Sequence, residues 1–132
     1  MGPVDIEEGS LVRSGEYLLT SRQLVYVIKS EGAAYRSGFA FLYHSTEVGF
    51  DELKPETIDL AGGIRRFLNH QATPKEHGSV VVELADGGEA RLVFVPDGMF
   101  GDRLIAAANF AQNFLCRTAS AFGAEGRPGP PP

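Results

Sequence analysis

Four basic side chains, Arg13, Arg22, Lys29 and Arg36, fall in the first third of this 132-residue chain. Brought together, cations of this kind could hold an anionic head group through charge-assisted hydrogen bonds. The three histidines, His44, His70 and His77, are 26 and 7 residues apart, which matches neither a helical histidine pair nor a familiar metal-ligand spacing. In "YHSTE", residues 43 to 47, His44 stands next to Ser45. Neighbours on a strand point to opposite faces, so this pair does not come within the hydrogen-bond reach that a nucleophile and its base require. Cys116 is the one cysteine. No histidine or second cysteine is placed to activate it, so it reads as a partly buried, inert thiol. The glycine pairs in "LAGGIRR" and "ADGGEAR" complete neither a dinucleotide fingerprint nor a phosphate loop. Asp51, Glu52, Glu56 and Asp59, around Lys54, read as a solvated acidic face. The residues therefore offer no catalytic constellation, no metal site and no cofactor site.

Composition narrows the classes of partner. Hydrophobic residues make up 43% and charged residues 22%, the balance of an ordinary globular domain with one core. The formal net charge of −5 opposes nucleic-acid binding, which depends on clustered Lys and Arg displacing counterions. It also opposes simple adsorption to anionic membranes, while leaving room for a local basic pocket. No apolar run is long enough to span a bilayer, so no transmembrane segment is expected. The opening "MGPVDIEEGS" is acidic and does not read as a secretory signal. A single cysteine leaves no internal disulfide and fits a reducing, cytoplasmic compartment.

The elements that would position these side chains are mostly strands. "SLVRSGEYLLT" carries Leu11-Val12, a turn signal at Ser14-Gly15, then Tyr17 to Leu19. After the polar break Thr20-Ser21-Arg22-Gln23, "QLVYVIK" places Leu24, Tyr26 and Ile28 on one face and Val25 and Val27 on the other, the pattern of a strand covered on both sides. Thr and Ser bond neighbouring backbone groups, so the break reads as a turn in a sheet and not as a reactive site. "FAFLYHSTEVGF" is a further strand region. Residues 55–70 admit two readings. Pro55 could open a helix with Leu60, Ile64, Phe67 and Leu68 at helical spacing, or Ile58 and Leu60 could alternate along an extended segment that bends at Gly62-Gly63. The glycine pair weighs toward the extended reading, at a cost of about 1 kcal/mol per glycine inside a helix.

Two β-rich runs flank Asp86-Gly87-Gly88 in "SVVVELADGGEARLVFV", the composition of a tight hairpin. Leu104, Ala108, Ala111, Leu115, Thr118 and Phe122, widened by Ile105, Phe114 and Ala119, form one amphipathic helix, with Asp97 or Asp102 as its cap and Arg117 near its negative end. Residues 1–122 make one globular domain. "GAEGRPGPPP", residues 123–132, reads as a flexible Gly/Pro-rich tail, because it has no large apolar side chain whose burial could offset its ordering entropy.

At "GEYLLTSRQLVYV" the chain resembles the strand-turn-strand signature L-T-x-x-R-L of GRAM-type and bacterial pleckstrin-homology-like domains. Thr20 takes the place that ends one strand, Arg22 lies in the turn, and Leu24 and Tyr26 begin the next strand. Gln23, between Arg22 and Leu24, departs from the usual spacing. "VVVELADGGEARLVFV" and the helix after it are similar to the last hairpin and capping helix of that fold, so the resemblance spans residues 10 to 120 in outline. It implies an α+β, mainly β architecture: a strongly bent antiparallel sheet or barrel closed by one C-terminal amphipathic helix. It also implies a non-catalytic adaptor or scaffold module that binds a protein or peptide. Relatives that bind inositol phosphates face them with basic side chains from the first strands, so the alternative is a lipid head group held at Arg13, Arg22, Lys29 and Arg36, although no phosphate motif matches residue by residue. A third reading is a small α+β enzyme whose site residues one sequence does not reveal.

Overall fold

Alternation builds the first strand. In β1 (Gly2–Glu8), Val4 and Ile6 point inward and are buried, while Asp5 and Glu7 lie on the other face. The strand makes seven register pairs with β2 (Leu11–Leu19). The computed structural model describes residues 2–37, 40–73, 78–94 and 102–128, with the main chain alone for 33–37, 40–46, 102, 104, 127 and 128. After β2 come β3 (Gln23–Ser37), β4 (Ala40–Glu47), a 3-10 turn at Phe50–Glu52, β5 (Pro55–Asp59), β6 (Ile64–His70), β7 (Ser79–Leu84), β8 (Glu89–Val93), the helix α1 (Asp102–Ala121) and β9 (Glu125–Pro128).

The strands form one sheet in the order β4-β3-β2-β1-β8-β7-β6-β9, with β5 joined to β3 beside this path. β3 is long enough to serve two partners on one edge. Gln23 to Val27 pair with β5, and Ser30 to Ser37 pair with β4. β1 joins the two halves of the sheet by pairing with both β2 and β8. The result is a curled half-barrel, mainly β, with α1 packed along its open side. Ile6, Leu24, Leu60, Val80, Val82, Leu92 and Leu115 are fully buried between sheet and helix. Each such side chain contributes about 1.5–3 kcal/mol through burial.

The polar break of the sequence is a turn. The Thr20 amide donates to the Gln23 carbonyl at 2.9 Å, and Thr20 Oγ1 accepts from the amides of Arg22 and Gln23 at 3.3 and 2.9 Å. Residues 55–70 are extended, as β5 and β6. They are separated by a turn in which the Gly63 amide reaches the Asp59 carbonyl and Asp59 Oδ1 accepts from the Ala61 amide. The hairpin joins β7 to β8 at Asp86-Gly87-Gly88, where only Gly87 takes a positive φ, of 94°. Val25 and Val27, read as a covered second face, are half-buried.

Three expectations are corrected. Ser14-Gly15 is not a turn but part of the continuous strand β2 opposite a β-bulge in β3, where the pairing steps from Ser14–Ser30 to Gly15–Ile28 and leaves Lys29 as the extra residue. The buried stripe of α1 is rotated from the one read in the sequence. Ala108, Ala111, Gln112, Leu115, Cys116 and Ala119 face the core, whereas Phe122 lies past the helix end and is 47% exposed. Asp97, one of the two proposed caps, lies outside the described residues. Residues 123–128, read as the start of a flexible tail, lie on the domain as the turn after α1 and a strand of the sheet. The Ala124 amide bonds the Ala119 carbonyl at 3.0 Å, Ala124 is buried, and residues 125–128 run parallel to β6 as β9. The reading from composition counted only side-chain burial. This tail is held by its main chain, in pairing that needs no large side chain. Residues 129–132 lie outside the described residues.

Candidate functional site

The structure separates the four basic residues. Arg13, on β2, is surrounded by carboxylates: its guanidinium donates to Glu56 on β5 and lies 3.4 Å from Glu31 and 3.6 Å from Glu8. Glu31 is its cross-strand register partner. Burial works against the Arg13 cation, but Glu56 and Glu8 outweigh it and hold the guanidinium more firmly charged than usual. The same neighbourhood raises the Tyr26 hydroxyl, first through burial and then through Glu56. Lys29 pairs with Glu16 at 3.2 Å on the surface, a contact worth at most about 1 kcal/mol. Arg22 lies in the turn beyond Leu19, about 20 Å of strand from Arg13. Its guanidinium carbon is 5.9 Å from the centre of the Phe122 ring, linking that turn to the end of α1. The main chain of Arg36 lies near the far end of β3, paired with Phe41. The quartet is therefore strung along the length of β3, with Arg22 before its start, Arg13 and Lys29 at its middle and the Arg36 main chain near its far end, and does not form one cluster.

Of the histidines, His70 closes β6, His77 lies outside the described residues, and the side chains of His44 and Ser45 are likewise outside them. On the main chain, His44 pairs with Ala33 and Ser45 with Gly32. Among the described residues, no group of three His, Cys, Asp or Glu side chains is placed to hold a metal ion. No described helix is long and apolar enough to cross a membrane.

Cys116 is 6% exposed, and burial pushes its thiol up from the ordinary 9.0 to about 12. At pH 8 the thiolate fraction is then on the order of 10⁻⁴. Iodoacetamide is expected to leave the native protein unmodified over hours at pH 8 and to label it fully in denaturant, as read by intact-mass spectrometry. Fast native labelling would show that the thiol is reachable and ionised.

What the fold does gather lies along the exposed flanks of α1. On the side of β2, Tyr17 and Leu19 face Ala107, Phe110, Ala111 and Phe114 across an open apolar hollow of about 310 Å³. Alternation along β2 puts Tyr17 and Leu19 on one face, and the steps of three and four put the helix residues on one stripe. The Tyr17 ring is braced edge-on by Phe94, with centroids 4.9 Å apart, and burial raises its hydroxyl above the ordinary value. On the other flank, Asn69, Asn113, Cys116 and Arg117 line a second hollow of about 320 Å³. Phe110 borders both hollows and is 68% exposed, which makes it a ridge between an apolar wall and a polar one.

The polar wall is a set of carboxamides. Asn109 accepts from the Ala72 amide at 2.7 Å and donates to the Ala72 carbonyl at 3.1 Å, as a neighbouring strand would. Gln71 donates to Asn113 Oδ1 at 2.8 Å, and Asn69 donates to the same oxygen at 3.1 Å. Gln112 is wholly buried and donates to Asn69 Oδ1 at 3.0 Å and to the His70 carbonyl at 2.9 Å, while its own Oε1 has no partner among the described residues. These bonds fix the helix against the end of β6. The sequence points to the helix but not to this surface, because Phe114 falls in the expected core stripe and Phe110, outside it, is one apolar residue among polar ones. The signal available was the placement of Asn109 and Asn113 beside Phe110, on the face that turns away from the core.

No protein-family model, curated protein or solved structure matches the chain.

Proposed function

We propose that the chain is a non-catalytic interaction module, an adaptor that docks a peptide segment of another protein along α1 on a pleckstrin-homology-like scaffold. The observation that carries the reading is Phe110. A large aromatic side chain, 68% exposed in mid-helix, borders the apolar hollow formed with Tyr17, Leu19 and Phe114. Exposed aromatics beside a groove are what peptide-docking surfaces use, because they bury much area at little cost in rotamer freedom. The scaffold part of the proposal draws support from the chain order: a meander of β1 to β4 with β5 returning to β3, a turn into β6 to β8, pairing of β1 with β8, and one closing helix. The lipid-binding alternative gains no such observation, since Arg13 and Lys29 already lie against carboxylates that a phosphate would have to displace.

The test uses peptides selected by display on the immobilised full chain. Phe110→Asp is expected to leave the melting temperature within about two degrees, as at other exposed helix positions, and to weaken the selected peptides by tenfold or more, on the order of 1.4 kcal/mol. Peptides that bind the variant as well as the parent would remove the groove from the account. Binding to anionic vesicles that falls with added salt would favour the lipid reading instead.

A further inference from the structure

We infer that the outer edge of β6 is a docking strand for an extended partner segment carrying an acidic residue followed directly by glycine, and that β9 occupies this edge in cis. The inference rests on the proposed role as a peptide-docking module and adds to it a second surface and its chemistry. β9 pairs with residues 66–69 of β6 over four register positions, in the sheet's one parallel pairing among the described residues. The other edge of β6 is taken by β7, so displacement of β9 would uncover a row of main-chain donors and acceptors next to α1.

What β9 shows is what the edge accepts. Gly126 lies opposite Phe67, and a Cβ built at Gly126 would overlap the buried Phe67 ring, so any side chain there has to displace that ring. One residue earlier, Glu125 reaches Arg66 at 3.5 Å. An incoming segment therefore favours glycine opposite Phe67, and a carboxylate one residue earlier adds a surface contact to Arg66. The remaining hold on β9 is small. Glu125 and Gly126 are exposed, and the strand is four residues long. Short pairings at an exposed sheet edge open at low free-energy cost. Gly123, with φ at +102°, makes the bend from α1, and the buried Ala124 anchors the chain just before the strand, so β9 could leave while the helix end stays docked. The far end of β9 lies opposite Asn69, which also lines the polar hollow beside Phe110. The edge thus runs into the hollow that Phe110 separates from the proposed groove.

The test is fluorescence anisotropy with a labelled synthetic peptide of residues 124–132, AEGRPGPPP, titrated against the full-length chain. In the parent, β9 competes. In Gly126→Val the chain's own strand is expelled, so the peptide is expected to bind roughly tenfold more tightly or better than to the parent. The same peptide carrying Gly126→Val is expected to bind neither protein. If Gly126→Val should fail to fold, as judged by its thermal melt, Arg66→Glu in the full chain decides: a peptide carrying Glu125→Lys should bind that variant and not the parent. Equal affinity for parent and Gly126→Val, or indifference to the glycine and to the charge at 125, overturns the inference. Because this readout depends on Arg66 and Gly126 and not on Phe110, its failure is distinguishable from failure of the groove along α1.

Discussion

Leu115→Asp is expected to leave the protein unfolded at room temperature. Leu115 has no exposed surface and is the largest fully buried apolar side chain of α1, in one core with Leu24, Leu60, Leu92 and the β7 valines. Truncating such a residue to alanine costs about 2–5 kcal/mol through lost transfer energy and the cavity left behind. Aspartate adds the cost of burying a carboxylate with no partner, several kcal/mol more even when the group escapes ionisation by taking up a proton. A domain of this size has on the order of 5–15 kcal/mol in total. Circular dichroism and a urea titration check this: Leu115→Ala should fold with a lowered midpoint, and Leu115→Asp should show no cooperative transition. A midpoint for Leu115→Asp equal to the parent's would mean that α1 does not close the sheet.

Gly15→Ala is expected to be the most damaging small substitution, at about 2–4 kcal/mol. A Cβ at this position would overlap the Val27 carbonyl on β3 and come within 3.0 Å of Ile28 Cα. Both obstacles are backbone of the neighbouring strand, so no side-chain rotation relieves the clash. The site is the β-bulge where Lys29 is squeezed out of register, so relief requires β2 and β3 to part where Tyr17–Tyr26 and Leu18–Val25 are paired. Differential scanning calorimetry should show a fall in melting temperature of about 10 °C or more, since 1 kcal/mol corresponds to a few degrees in a domain of this length. A drop of one or two degrees would place the bulge elsewhere.

These two glycine and leucine positions show what the sequence could and could not reveal. Alternation in "QLVYVIK" and the helical stripe through Ala108, Ala111 and Leu115 are local patterns, and both elements form where those patterns lie. The polar break at Thr20 was legible for the same reason: a hydroxyl accepting from the amides two and three residues on is a local event. Gly15 carries turn chemistry, and nothing nearby in sequence says that its missing side chain makes room for Val27 instead. β1 was overlooked although Val4 and Ile6 alternate with Asp5 and Glu7, because two apolar residues in an acidic stretch are a weak signal until β2 and β8 flank them. β9 had no side-chain signal at all, and its partner lies some sixty residues earlier in the chain.

The candidate site was less legible than the fold. Four cations spaced along three elements look like a cluster in a list of residues. In three dimensions β3 carries them apart, and the intervening carboxylates Glu8, Glu16, Glu31 and Glu56 take up Arg13 and Lys29. Phe110 lies outside the helical stripe, as many exposed side chains do, and becomes conspicuous only when the fold brings Tyr17 and Leu19 of β2 across the hollow from it.

The most direct test of the docking account is amide chemical-shift mapping on the full chain with a display-selected peptide. Perturbations should concentrate on Tyr17, Leu19, Phe110, Ala111 and Phe114 and fade toward the far end of β3. A footprint centred on Arg13 and Lys29, or no footprint for any selected peptide, would contradict it.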